Sequence, residues 1–430
     1  MKYQDNLCSA VHKLDKSNAF YYNKCIQYVY EGDYMINREE YLNQLINFKD
    51  KQLIKVVTGI RRCGKSTLFE LYKEYLINNG INENQIISLN FESAEFYDIN
   101  DFKALYHEVE SRLTPGIMNY VFLDEVQMVP SFQRACDSLY ILKNVDLYIT
   151  GSNAGLLSGE LATLLSGRYV EVKMLPLSFK EYISAVGDSN LSRKYRDYLL
   201  NSSFPYTLEL NNRKDILAYL DGIYTSIVLK DIVKRKKIAD VAVLESVIRF
   251  MFDNIGNLCS ATKIANTLKS GGKGASVHTV DNYLTALCES FVLYKVGRYD
   301  IKGKQLLQTQ EKYYLADIGL RYYLLGTKPA DMGHILENIV YLELLRRGYE
   351  IYVGRQDNAE VDFIAINDSG TEYYQVALTV RDENTLKREL TPLDSISDHN
   401  PKYLLTLDDD PPVSHNGIKQ LNALDWLLNK

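Results

Sequence analysis

Between Leu53 and Met174, short apolar and β-branched runs alternate with stretches of helical period, and that alternation leaves few folds open. "LIKVVTG", "IISLNFE", "YVFLDE", "DLYITGS" and "YVEVKM" read as strands. "STLFELYKEYLINNG" (capped by Gly80), residues 101–113, "FQRACDSLYILK" and "GELATLLSG" read as the helices between them. A strand that is apolar along its whole length is buried on both faces. The spacing therefore predicts a parallel sheet covered by helices on either side.

The first strand runs into Gly59-Ile60-Arg61-Arg62-Cys63-Gly64-Lys65-Ser66, which matches G-x-x-x-x-G-K-[ST] at the strand-to-helix junction. Gly59 and Gly64 allow the backbone N–H groups to turn inward around phosphate oxygens, and the helix start adds its positive dipole end. The expected binding set is Gly59, Arg61, Arg62, Cys63, Gly64, Lys65, Ser66 and Thr67, with ATP and Mg2+ as cofactors. Lys65 is expected at the β- and γ-phosphates and Ser66 on magnesium.

"YVFLDE" is an apolar strand that ends in two carboxylates. Asp124 is placed to hold magnesium and Glu125 to activate the attacking water. A solvated acid pair at a strand end is the rival reading, and it weakens once a full phosphate loop precedes it. "YITGSN" ends a further strand in Ser152 and Asn153, and in ATPases with an additional strand such a polar end senses the γ-phosphate. In "LSGRY", Arg168 suits a stabiliser of transition-state charge, in its own chain or in a neighbour's site, or else a surface ion pair.

The chain has 430 residues, too many for one ordinary core. A formal net charge of -6 excludes a uniformly basic nucleic-acid coat, though not a local basic face. The six cysteines are scattered without a C-x-x-C pair, which fits a reducing compartment and neither a zinc site nor a disulfide framework. With no signal-peptide pattern and no apolar run of spanning length, the expected location is cytoplasmic, with no membrane partner. Residues 1–34 are polar and Tyr-rich. They are either an extension upstream of a start at Met35 or an ordinary N-terminal segment.

The order "TGIRRCGKST", "VFLDEVQ", "ITGSN", "LLSGRY", "LPLSFKEY" resembles a prokaryotic family of AAA-type P-loop ATPases over about residues 36–230. The resemblance implies a winged-helix middle and a C-terminal domain similar to the PD-(D/E)XK nuclease fold. "NSSFP" at 201–205 departs from the family's glycine pair before Phe-Pro, and only a local loop difference is expected. The expected organisation is an extension at 1–34, an AAA-type α/β parallel-sheet domain at 35–232, a winged helix at 233–328 and an α/β nuclease-like domain at 329–430.

The middle block fits a winged helix on its own residues. "SATKIANTLK" turns Ile264, Ala265 and Leu268 inward, and "VHTVDNYLTALCES" does the same with Val280, Tyr283, Leu284 and Leu287. "FVLYKVGRYD" and "EKYYLAD" form the wing. Ser276, His278, Thr279, Asp281 and Asn282 would face DNA, with Lys269, Lys273, Arg298, Lys302 and Lys304 near phosphates. A lid or protein-docking role is the alternative. "VKRKK" at 233–237 reads as a solvated linker, and 325–333 as a second linker.

In the C-terminal block the resemblance implies a second metal site at Glu337, Asp362 and Gln375, beside Glu360. The lysine of the nuclease triplet is Ala377 here, which weakens water activation unless Lys387 or Arg388 substitutes. The domain is therefore expected to be inactive or a binding module, and not a nuclease. Three functions are open: a DNA-coupled ATPase, a nucleotide-controlled switch with protein partners, and an ATP-dependent nuclease. Oligomerisation is compatible with each.

Overall fold

The computed structural model describes residues 36–154, 167–236, 238, 240–272, 274–327, 331–356 and 359–429. The expected extension at 1–34, the start at Met35, Lys273 and nearly all of the "GELATLLSG" helix lie outside them.

Five strands form the first sheet: β1 (Ile54–Thr58), β2 (Ile86–Asn90), β3 (Asn119–Asp124), β4 (Val145–Gly151) and β5 (Tyr169–Lys173). Every neighbouring pair is parallel, in the order β2-β3-β4-β1-β5. All residues of β1 and β3 are buried, as an apolar strand between two helical layers must be. Edge strand β2 alternates buried and exposed positions from Ile87 to Asn90.

Helices α1 (Glu39–Asn47), α2 (Lys65–Asn78), α3 (Phe102–Arg112) and α4 (Phe132–Ile141) cover the sheet. Leu68, Phe69 and Tyr72 of α2 meet Val57, Phe122 and Tyr148 on one face. Leu105 and Val109 of α3 and Ala135 and Leu139 of α4 meet Val56, Val121 and Ile149 on the other. The strand order sets β4 between β1 and β3, so the phosphate loop, the carboxylates and the polar "GSN" end emerge side by side.

One charge breaks the apolar rule. Lys55 in β1 is fully buried, and its ammonium pairs with Asp146 of β4. Asp146 also accepts from the Tyr148 hydroxyl at 2.7 Å and the Asp50 amide at 2.9 Å. A buried pair survives only when its remaining hydrogen bonds are filled in this way.

Helices α5 (Phe179–Val186), α6 (Leu191–Asn201) and α7 (Arg213–Thr225) follow, and α7 runs on as a π-helix over Ser226–Lys234. Next come α8 (Val241–Asp253), α9 (Ala261–Ser270), α10 (Val277–Glu289) and the antiparallel hairpin of β6 (Leu293–Asp300) and β7 (Gln305–Leu315). The inward residues named above for α9 and α10 are all buried. The "VKRKK" run is not a linker where it is described: it continues the helix through Lys236, with Lys234 and Lys236 exposed. Arg235 and Lys236 reach the Glu289 carboxylate at the end of α10, at 3.2 and 2.7 Å.

The remaining elements are α11 (Ile318–Leu325), α12 (Met332–Arg346), β8 (Glu350–Gln356), β9 (Ala359–Asn367), β10 (Gly370–Val376), α13 (Glu383–Asp394), β11 (Lys402–Thr406), β12 (Val413–His415), β13 (Ile418–Asn422) and α14 (Ala423–Leu427). The hairpin continues into this region, because β6 pairs in parallel with β8 through Arg298–Asp300 and Val353–Arg355. The result is one eight-stranded sheet, β12-β13-β11-β10-β9-β8-β6-β7.

At the "NSSFP" segment Ser202 takes φ 79, a conformation that glycine adopts more easily. The adjoining Ser203 binds Asp317 at the start of α11 through both its amide and its hydroxyl, at 2.7 Å each. Among the described residues no helix is long and apolar enough to cross a membrane.

Candidate functional site

The phosphate loop leaves β1 at Thr58 and enters α2 at Lys65. Gly59 has φ 153, and a Cβ there would lie 2.1 Å from the Met174 carbonyl oxygen, so only glycine fits. Gly64 caps α2 at φ 103 without any side-chain cap, so the first-turn N–H groups remain for an anion. Cys63 is fully buried and gives the loop only its backbone, while Arg62, Ser66 and Thr67 present exposed side chains. Lys65 is 4% exposed, and its ammonium donates to the Gly59 carbonyl at 3.1 Å and lies 3.5 Å from Glu125 Oε1.

β3 delivers both carboxylates next to the loop. Burial raises the Asp124 carboxyl above its ordinary value, against the Ser66 and Thr150 hydroxyls that donate to it. The Thr150 hydroxyl donates to Asp124 Oδ1 at 2.5 Å and accepts the Glu125 amide at 2.8 Å. Glu125 sits at φ 51, and its Oε2 accepts from Gln127 at 2.5 Å and from Ser152 at 3.1 Å. Burial works against its charge, but Lys65, the Gln127 amide, Arg61 and Ser152 prevail and lower its pKa. Glu125 is thus held ionised although it is buried.

Oxygen donors at Ser66 and Asp124, an ammonium at Lys65 and an uncapped helix start suit a magnesium nucleotide, so the residues present fit that group. Asn153 is half-buried two residues beyond β4. Arg168 needs correction as a charge stabiliser within its own chain. It precedes β5 at the opposite end of the sheet, where its carbonyl accepts the Ile54 amide at 2.8 Å. Its guanidinium pairs with Asp137 and lies 5.5 Å over the Tyr140 ring, the surface ion pair that the sequence also allowed.

Sequence reasoning missed three residues beside the loop. Arg38, just ahead of α1, donates to the Cys63 carbonyl at 3.0 Å. Glu92 and Asp231 flank Arg61, the first in direct contact and the second at 3.7 Å. Burial pushes the Asp231 carboxyl up to about 6, with Arg61 opposing and Glu125 adding to the rise. Thr150 was inside a quoted motif, but Asp231 had no sequence signal at all.

The C-terminal acids gather around a lysine from a different strand. Lys312 of β7 is 3% exposed, and its ammonium lies 2.8 Å from Glu337, 2.7 Å from Glu360 and 3.9 Å from Asp362. The Tyr314 hydroxyl donates to Glu337 at 2.6 Å. Burial opposes the Lys312 charge, yet Glu337, Asp362 and Glu360 outweigh it and raise its pKa. Burial and the neighbouring Glu337 push the Asp362 carboxyl well above its ordinary value, against the Lys312 ammonium and the Val376 amide.

Gln375 reaches the group through its side-chain oxygen, which accepts the Asp362 amide at 3.3 Å, while its NH2 donates to Glu389 at 2.9 Å. The replacement bases named from sequence are corrected: Lys387 is exposed and Arg388 pairs with Glu389, so neither is the lysine of the cluster. The available signal was a lone lysine within the aromatic run "EKYYLAD". Among the described residues no three His, Cys, Asp or Glu side chains form a group that could hold a metal ion.

Residues 51–183 match AAA_14, an AAA domain, and residues 192–331 match DUF8612, a domain of unknown function. An uncharacterized protein of Haemophilus influenzae is 44% identical over 402 residues, covering 92% of this chain and 99% of its own length. Uncharacterized protein MJ1544 of Methanocaldococcus jannaschii is 29% identical over 351 residues, covering 77% of this chain and 76% of its own. Among solved structures, the Walker-type ATPase PABY2304 of Pyrococcus abyssi aligns at TM-score 0.48 and 17% identity, covering 67% of this chain and 96% of that one. The ORC1 protein of Aeropyrum pernix, in complex with DNA, aligns at TM-score 0.32 and 14% identity, covering 69% and 94%. The chain belongs to the same family as the Haemophilus influenzae protein, and it carries an AAA-type P-loop domain.

Proposed function

We propose that this protein is a magnesium-dependent ATPase that couples hydrolysis to conformational work on double-stranded DNA. The observation that carries the reading is Glu125, buried yet ionised and held by Lys65, Gln127 and Ser152 beside the phosphate loop. Ser66 and Asp124 would hold the magnesium ion, which neutralises phosphate charge when bound. Lys65 binds phosphate oxygens. Glu125 takes the proton of the attacking water. Thr150 and Ser152 fix the two carboxylates, and Asn153 senses the terminal phosphate from the end of β4. Arg168 has no role in its own site, so a contribution from it requires a neighbouring copy.

The DNA half draws on the three helices and wing of 241–315, read as a winged helix. Ser276, His278, Asp281 and Asn282 are exposed on α10, as are Lys269, Lys302 and Lys304 nearby. A second reading, a switch for protein partners, is favoured by Asp281 on the same face, since a carboxylate repels DNA phosphates. In the C-terminal region, read as nuclease-like, Lys312 already pairs with Glu337 and Glu360, which favours binding over cutting.

The test is ATP turnover with and without double-stranded DNA, for the wild type beside Glu125→Gln. Turnover that DNA stimulates and the variant lacks supports the reading. Turnover indifferent to DNA moves it to the switch, and no turnover in the wild type refutes the ATPase.

A further inference from the structure

We propose that Arg38 presets the phosphate loop by fixing the peptide between Cys63 and Gly64, which makes it a positioning residue for nucleotide binding. The inference rests on the nucleotide reading above. Arg38 is 4% exposed and takes φ 44 immediately before α1. Its guanidinium acts in three directions. Nη1 donates to the Cys63 carbonyl at 3.0 Å, Nη2 donates to the Leu175 carbonyl at 2.5 Å, and Nε lies 2.9 Å from Glu181 Oε1. The same group lies 4.9 Å over the Tyr41 ring, and the Tyr41 hydroxyl accepts the Leu175 amide at 3.1 Å.

In a planar trans peptide the C=O and the following N–H point to opposite sides. Arg38 draws the Cys63 carbonyl to the outside of the loop. The Gly64 N–H therefore faces the concave side, where a phosphate oxygen would lie. The Cys63 amide donates to the Ile60 carbonyl at 3.2 Å and the Gly64 carbonyl accepts the Leu68 amide at 2.9 Å, but Gly64 between them has a wide conformational range and caps α2 without a side chain. Because the Arg38 donor is charged, the bond to the Cys63 carbonyl is stronger than a neutral one. Lysine could not reproduce all three contacts in this geometry, because its ammonium lacks the planar fork.

The guanidinium is itself held in place. Glu181 accepts the Ser178 amide at 2.7 Å in a capping box at the start of α5. From the other side Arg346 of α12 donates to the Pro176 carbonyl at 3.1 Å and pairs with Glu343 at 2.7 Å. The stretch from Leu175 to Glu181 is thus gripped by one arginine from each end of the chain. Arg38 touches no reacting atom and acts through Cys63.

The test uses the full chain and a fluorescent ATP analogue with Mg2+, comparing wild type, Arg38→Gln and Arg38→Lys for affinity, KM, kcat and thermal midpoint. The expected result for Arg38→Gln is a rise of about tenfold in Kd and KM with kcat within about threefold, the pattern of lost preorganisation. Arg38→Lys falls between it and wild type. A folded Arg38→Gln with wild-type Kd and KM overturns the proposal. If that variant does not fold, a folded Arg38→Lys with wild-type KM overturns it instead. No binding by the wild type removes both this proposal and the nucleotide reading, whereas an unchanged KM beside an active wild type removes this one alone.

Discussion

Replacing Lys312 by methionine keeps the length of the stem and removes the ammonium from among three carboxyl groups. Glu360 is 34% exposed and recovers water, so its share of the loss is small. Glu337 is 7% exposed and, among the described residues, keeps Tyr314 and His334 as neighbours able to satisfy it. Removing one partner of a buried pair costs about 3–5 kcal/mol, and the partial exposure of Glu360 places this case near the lower figure, about 3 kcal/mol. For a cooperative unit of 150–250 residues that lowers the thermal midpoint by about 6–12 °C. Acid should narrow the gap. Burial favours the protonated form of Glu337, but Lys312 and its hydrogen-bond donors hold its pKa below the ordinary 4.5. That stabilisation is present above pH 4.5 and disappears as pH falls through the lowered value. Without Lys312 burial dominates, and protonation relieves the variant while the wild type gains nothing. Scanning calorimetry of both proteins at pH 7.5 and pH 5 reads the effect. A variant melting within about 2 °C of wild type at both pH values would refute the reasoning.

Substitutions at four further sites test other parts of the structure. Gly59→Ala sets a methyl 2.1 Å from the Met174 carbonyl, whose residue is anchored to Thr58 at 2.7 Å, so the loss should exceed about 3 kcal/mol in chemical denaturation. Gly80→Ala, with φ 88 and open space around it, should cost only about 1 kcal/mol in the same assay. Lys55→Met leaves Asp146 buried without its cation and should cost about 3–5 kcal/mol, while adding Asp146→Leu should recover part of it in a double-mutant cycle. For Asp231, pushed up to about 6, the carboxylate that holds Arg61 forms as pH rises through 6. ATP turnover should change across that pH in the wild type and stay level in Asp231→Asn.

The first sheet was legible because two signals coincided there: wholly apolar strands and a loop whose glycines have one mechanical use. The same local signals singled out Lys65, Asp124 and Glu125, which the structure brings together beside the loop. What the sequence hid was contact made across long separations. Lys312 meets Glu337 and Glu360 from a strand outside the segment that was expected to hold the acids, and nothing in a triplet pattern points there. Arg38 and Asp231 reach the loop from before the sheet and from beyond α7. Arg168 shows the converse, since a motif arginine close in sequence to functional residues folds to the far end of the sheet. The "VKRKK" run looked like a linker because its counter-charge, Glu289, lies at the end of a later helix.

The eight-stranded sheet takes β6 and β7 from one side of residue 328 and six strands from the other. A chain cut after Gly326 would bare the edge of β6 at Arg298–Asp300 and strip Lys312 of its acids. An uncovered strand edge of this kind recruits other copies. In this chain, therefore, the hairpin and the acid cluster are parts of one sheet, and each portion is expected to lose stability when cut from the other. Any nucleotide-driven displacement that carries the hairpin must also tow the acid cluster, and the two surfaces reorient as a single tool head.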